Sequence, residues 1–201
     1  MKGVRVWLRA GTHLVAALPA MWLAGAALGG GLGPDPVGTI IRRTGDVALV
    51  LLVLSLLPGA VRRVFGAAAL MPARRLLGLY AFGYATLHLV SHIFLGYGGQ
   101  VGLLLAGLGQ NRFALIGLAT FVLMLPLAIT SSVGWQRRLG HRWRQLHRLA
   151  YVAALLDVWH YGWVFKEIRP LPVLALATVV LLLAARIPWA KWLKRVPAPT
   201  H

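Results

Sequence analysis

Six mostly apolar stretches, at 11–31, 45–61, 76–97, 113–131, 145–165 and 170–188, recur along this chain, with basic residues gathered between them. About 20 apolar residues are what an α-helix needs to cross the hydrocarbon of a bilayer. Backbone polar groups in lipid must be satisfied within their own segment, so each run is expected to be helical. Of the 201 residues, 59% are hydrophobic and only 12% charged, too little polar surface for a water-soluble globule. No strand-period alternation or internal repeat stands out, and the linkers are too short for a second domain. The expected fold is an all-α membrane protein, a single domain over 1–201 forming a bundle of six transmembrane helices.

The formal charge of +17 arises from 21 Lys and Arg against four acids, Asp35, Asp46, Asp157 and Glu167. A soluble chain this basic would suggest nucleic acid. Here the cations sit at the ends of apolar runs, where they meet anionic lipid head groups and fix orientation, so membrane lipids and not nucleic acid are the expected partners. With the N-terminus inside, Lys2, Arg5, Arg9, Arg62, Arg63, Arg74, Arg75, Arg137, Arg138, Arg142, Arg144, Arg186, Lys191, Lys194 and Arg195 are cytoplasmic. Only Arg42, Arg43, Arg112, Lys166 and Arg169 are outside, which places both termini in the cytoplasm. The first span follows Lys2, Arg5 and Arg9 as a signal peptide would, but its length and the five spans after it favour an uncleaved helix. Trp7, Trp135, Trp143, Trp163, Trp189 and Trp192 fall near span ends, as interfacial anchors do.

There is no cysteine, which excludes disulfides, iron–sulfur clusters, thiolate-ligated haem and c-type haem attachment. A redox metal would have to be held by histidine. Seven are present; His141 and His201 belong to solvated segments, whereas His13, His88, His92, His147 and His160 lie within spans. Ionisable groups in a membrane are costly and mark function.

A haem held by two histidines needs them on different helices at similar depth. At about 1.5 Å per residue, His88 lies about 20 Å from the cytoplasmic end of its helix, His160 about 26 Å and His147 about 6 Å. His88 and His160 are therefore expected to pair in the outer half of the membrane, with His147 near the cytoplasmic face. The thirteen-residue spacing of His147 and His160 leaves them about 140° apart on an ideal helix, unless tilt or a π-bulge realigns them. His92, one turn after His88, shares its face and is an alternative ligand; the plainer role is packing or orienting a neighbour. His13 is a candidate inner partner for His147, its plainer role an interfacial imidazole. A histidine-bearing transporter is the competing class, but only Asp157 offers a deep carboxylate for a proton path.

The stretches LGPDPVGTIIRRTGDVAL (32–49), RRLLGLYAFGYATLHL (74–89), QRRLGHRWRQLHRLAYV and VWHYGW (within 136–163) resemble the MsrQ (formerly YedZ) family. That family belongs to the ferric-reductase-like transmembrane group, and the resemblance runs nearly end to end. It implies a b-type cytochrome of the bacterial inner membrane. Such a subunit takes electrons from the quinone pool, or a flavin donor, to a periplasmic molybdopterin subunit, MsrP, which reduces methionine sulfoxide in envelope proteins. The family's haem histidines fall on His88, His147 and His160, and an FMN is implied by the resemblance alone. Three departures stand out. His92 replaces a tyrosine of the family, and Asp157 a small apolar residue. Arg74 and Arg75 stand where the related oxidases carry an inner haem ligand, so one haem is the expected count, a second remaining open.

No residue of this chain is expected to act as acid, base or nucleophile on the sulfoxide. The arginines 74, 75, 137, 138, 142 and 144 are expected to fix topology, with contact to propionates or a flavin as the alternative. The glycine-rich GGGLGPDPV (29–37) reads as a turn and a candidate docking loop. Two other functions stay open: a ferric or quinone reductase without MsrP, and a haem-free transporter or assembly protein.

Overall fold

The computed structural model describes residues 2–164 and 170–185, whose regular elements are all helices, with no strand among them. The long elements are α1 (Lys2–Leu28), α2 (Pro36–Phe65) and α3 (Met71–Ser91), the last running directly into a π-helical turn (His92–Gly96). A short α4 (Val101–Leu108) precedes α5 (Arg112–Ile129). Two small helices, α6 (Val133–Leu139) and α7 (His141–Leu146), lead into α8 (Leu149–Val164), and α9 (Pro170–Ala184) follows. Among the described residues, four segments are long and apolar enough to cross a membrane: Val6–Leu28, Pro36–Phe65, Met71–Gly96 and Arg112–Ile129. The described parts of α8 and α9 are shorter, at 16 and 15 residues. Lys166, Glu167, Arg169, Arg186, Trp189, Lys191, Trp192, Lys194, Arg195, His201 and the far ends of the two last expected spans lie outside the described residues.

Local chemistry sets the boundaries. At the end of α1, Gly30 takes a φ of 69° and the amide of Gly31 donates to Ala26 O at 2.8 Å, closing a Schellman motif. The carboxylate of Asp35 then accepts from Gly38 N–H at 2.9 Å, with Pro36 at the first helical position. This cap starts α2 at residue 36, well before the expected 45, and draws Arg42 and Arg43 into the helix. Along the spans, Thr44, Thr86, Thr120 and Thr178 each return their hydroxyl to the carbonyl four residues back. A bilayer offers such hydroxyls no water, so the helix itself must satisfy them.

The central post is α2. Of its most apolar window 56% is buried, against 6%, 11% and 11% for the other three spans, whose leucines and valines face outward as lipid-facing residues do. The two most extensive pairings are α2 with α3 and α5 with α8; α9 closes against α2 and α8. Helix α1 lies on α3 along a polar seam. The Tyr84 hydroxyl donates to Ala16 O at 2.7 Å and accepts from Ala20 N–H at 3.0 Å, so it inserts into the α1 ladder one residue beyond Pro19. One turn earlier, His13 Nδ1 meets the Tyr80 hydroxyl at 2.9 Å.

The expected helix over 145–165 is interrupted. His147 ends α7, and α8 begins only at Leu149. The cause is a polar knot at the end of α5: the Trp143 indole N–H donates to Thr130 O at 2.9 Å, and its ring stacks on His147 at 4.0 Å. His147 Nε2 lies 3.1 Å from Thr130 Oγ1. His147 thus caps α7 in the turn before α8, the helix that carries His160, and their angular relation on one ideal helix does not apply.

Candidate functional site

His88 projects from α3 and His160 from α8 into one cavity, their ring centroids 6.3 Å apart and their planes at 77°. Each ring is fixed from behind in the same way. His88 Nδ1 hydrogen-bonds Ile41 O of α2, and His160 Nδ1 hydrogen-bonds Phe113 O of α5, both at 2.8 Å. A carbonyl only accepts, so Nδ1 carries the proton in each and Nε2 of the neutral ring keeps its lone pair. That is how proteins orient an imidazole meant to bind a metal.

A glycine stands four residues after each acceptor. A Cβ added at Gly45 would lie 3.1 Å from His88 Nδ1 and 3.2 Å from its Cε1. At Gly117 it would lie 2.8 Å from His160 Cε1 and 3.0 Å from Nδ1. Each acceptor precedes its histidine by 47 residues. The pairs α2–α3 and α5–α8 therefore build two equivalent half-sites. The paired spacing, an acceptor, a glycine four later and a histidine at 47, is the signal that was there to be found.

The cavity between them is mostly apolar, lined by Ala48, Ala85, Leu104, Leu108, Phe121 and Met124 among others. Its polar lining is sparse: Arg42, Asp46, His92, Thr120, Asp157 and Tyr161 besides the two histidines. His92 lies parallel to His88, with centroids 6.2 Å apart and planes within 9°. Asp157, on α8 one turn before His160, lines the same space. At one end Arg42 pairs with Asp35 at 3.1 Å, and Arg43 lies 3.8 Å from Asp46. The Gly38 amide and the Arg42 guanidinium hold the Asp35 carboxyl below its usual range.

A second cavity lies toward the other end of the bundle, with Arg62, Arg74, Arg75, Gln136, Arg144 and His147 in its wall. His13 lines neither cavity; it meets the Tyr80 hydroxyl and ring edge-on instead. Among the described residues there is no group of three or more histidines and acids able to hold a metal ion. Any metal between His88 and His160 must bring its remaining donors with it.

Fold and site together define a multi-helix membrane protein with paired imidazoles facing each other inside an apolar cavity. The model of the family described as ferric reductase like transmembrane component matches residues 44–158, from the third turn of α2 to the last turns of α8. The chain belongs to that family of membrane electron-transfer components, and both half-sites fall within the matched segment apart from Ile41 and His160 at its margins.

Proposed function

We propose that this protein is a six-span b-type cytochrome of the MsrQ (YedZ) kind in the bacterial inner membrane, with both termini cytoplasmic. One haem b sits between His88 and His160. Electrons pass from the quinone pool, or a flavin donor, to a periplasmic molybdopterin subunit, MsrP, which repairs oxidised methionines. The single observation that carries the reading is the facing imidazole pair with both Nδ1 atoms bound to carbonyls. A metal–imidazole bond of about 2 Å on each side, with about 1 Å from nitrogen to ring centre, gives about 6 Å between rings. The observed 6.3 Å agrees with that figure. Two imidazoles leave four positions of a six-coordinate iron to fill, which a tetrapyrrole supplies, and the apolar walls suit its faces.

Haem, when bound, supplies reversible one-electron exchange. This chain's residues do the rest. His88 and His160 would hold the haem iron from two sides and so leave no place for oxygen; Ile41 O and Phe113 O hold their tautomers; Phe121, Met124 and Leu104 would exclude water. The Arg74, Arg75 and Arg144 side chains of the second cavity are the cations that an FMN phosphate or a second haem's propionates would meet, with His147 beside them. Fifteen cytoplasmic cations against five outside support the orientation.

The test is a reduced-minus-oxidised spectrum of the purified protein with haem counted per chain, repeated on His88→Ala, His160→Ala, His147→Ala and His92→Ala. The first two are expected to abolish the low-spin α band. Full haem in both would overturn the site. A ferric or quinone reductase lacking MsrP rests on the same family match; electron delivery to a purified molybdopterin partner against delivery to a ferric chelate separates the two.

A further inference from the structure

His92 is a polar residue of the cavity that the His88–His160 pair does not use. Its Nδ1 is buried and has no hydrogen-bond partner, although the ring is boxed in on several sides. The His88 ring lies parallel to it at 6.2 Å and the Tyr97 ring stands edge-on at 5.3 Å. Gly96 closes underneath, where a Cβ would come within 3.4 Å of Nδ1. A buried, unpaired ring nitrogen costs free energy comparable to a lost hydrogen bond unless a ligand satisfies it. The backbone at this point is π-helical, with Tyr97 N–H donating to His92 O at 3.1 Å, five residues back. Single π turns recur at functional sites because the extra residue changes where side chains point.

Position decides what His92 can touch. A planar macrocycle held by His88 and His160 would lie across the line joining their rings, beside α3, which carries His88 and runs on into the π-helical turn of His92. One helical turn further along that helix, about 6 Å, is over the edge of the macrocycle and away from its metal. The same end of the cavity carries Arg42, and beyond it Asp35 and Arg43. The edge groups of haem b that can satisfy an imidazole N–H are its propionate carboxylates; its vinyl and methyl groups cannot.

We propose that His92 is a positioning residue that donates a ring N–H to a propionate of the haem held by His88 and His160, setting its orientation and potential without ligating iron. This rests on the haem reading above. Asp46 faces the same cavity with Oδ1 unpartnered, and its other oxygen lies 3.8 Å from Arg43. It can only accept, so the donor to a carboxylate is His92 assisted by Arg42. Replacing His92 removes an offset to the propionate charge, which favours the ferric state and lowers the midpoint potential.

The experiment uses the full chain in detergent, with the wild type, His92→Ala and His92→Gln loaded with haem b and with haem dimethyl ester, whose carboxylates are blocked. Haem per chain, low-spin electron paramagnetic resonance, propionate bands in the resonance Raman spectrum and midpoint potential are read. With haem b, His92→Ala is expected to keep wild-type stoichiometry and the bis-imidazole signal. Its propionate bands shift and its potential falls, while His92→Gln, which keeps an N–H donor, restores part of both. With the dimethyl ester the difference between wild type and His92→Ala vanishes. Loss of the bis-imidazole signal in His92→Ala would make it an axial ligand and overturn the proposal. Unchanged bands and potential, or a difference that persists with the ester, would reduce it to packing. Should wild type bind no haem, the cytochrome reading itself fails, and that outcome is visible before any variant is compared.

Discussion

Gly117→Ala is the sharpest test of the duplicated half-site, because it adds one methyl group and no charge. The new Cβ would stand 2.8 Å from His160 Cε1, 3.0 Å from Nδ1 and 3.1 Å from Nε2, whereas ordinary contact begins near 3.4 Å. The ring must therefore swing, and its Nδ1–H is tied to Phe113 O at 2.8 Å. Losing that bond costs about 1 kcal/mol, and holding the side chain off its rotamer costs a further ~0.5–1.5 kcal/mol. The sum, about 1.5–2.5 kcal/mol, is a roughly tenfold to seventyfold loss in haem retention at one site. Gly45→Ala makes a looser contact, 3.1 Å from His88 Nδ1, and is expected to cost less. At Gly83, also within a span, a Cβ meets nothing within 4 Å, so Gly83→Ala serves as the control. Haem per chain after dialysis against apomyoglobin, with the low-spin signal, gives the order. Equal retention in Gly117→Ala, Gly45→Ala and Gly83→Ala would refute the idea that these glycines seat the rings.

Three further outcomes follow from the geometry. Tyr84→Phe removes the hydroxyl bridging Ala16 O and Ala20 N–H, leaving both without that partner; a loss of about 1–3 kcal/mol should appear as a lower melting temperature and faster proteolysis of α1, with haem retained. Thr130→Val takes the hydroxyl from His147 and should loosen the α5–α7 knot, read as increased hydrogen exchange at Trp143, without touching the His88–His160 spectrum. Asp35 has its carboxyl held below the ordinary value of 3.8, so its cap on α2 is fully present above that value and is lost as pH falls through the lower folded value. A carboxylate titration by NMR should show a midpoint under 3.8, and Arg42→Ala should raise it.

Much of the molecule is legible from its residues alone. Runs of apolar side chains punctuated by arginine can satisfy their backbones in lipid only as helices, and the regular elements of the described residues are all helices. Rise per residue alone puts His88 and His160 at comparable depth, and their rings do meet across the cavity. The same arithmetic misjudged residues 145–165, because it assumed one unbroken helix, whereas the hydrogen bond from Trp143 to Thr130 stops α7 at His147. It also started α2 late, since Arg42 and Arg43 looked like loop and the Asp35 cap outweighed them.

Sequence by itself determined which residues each helix offers, because side-chain direction along a helix is fixed by its 3.6-residue period. Only the tertiary structure decided how each helix is rotated toward its neighbours. That rotation brings Ile41 O behind His88, Phe113 O behind His160, a glycine beneath each ring and Tyr84 into the ladder of α1. Backbone carbonyls carry no side-chain identity, so an acceptor on a distant helix marks the amino-acid pattern only indirectly, through the glycine four residues after it. It becomes part of the site only when packing sets it there.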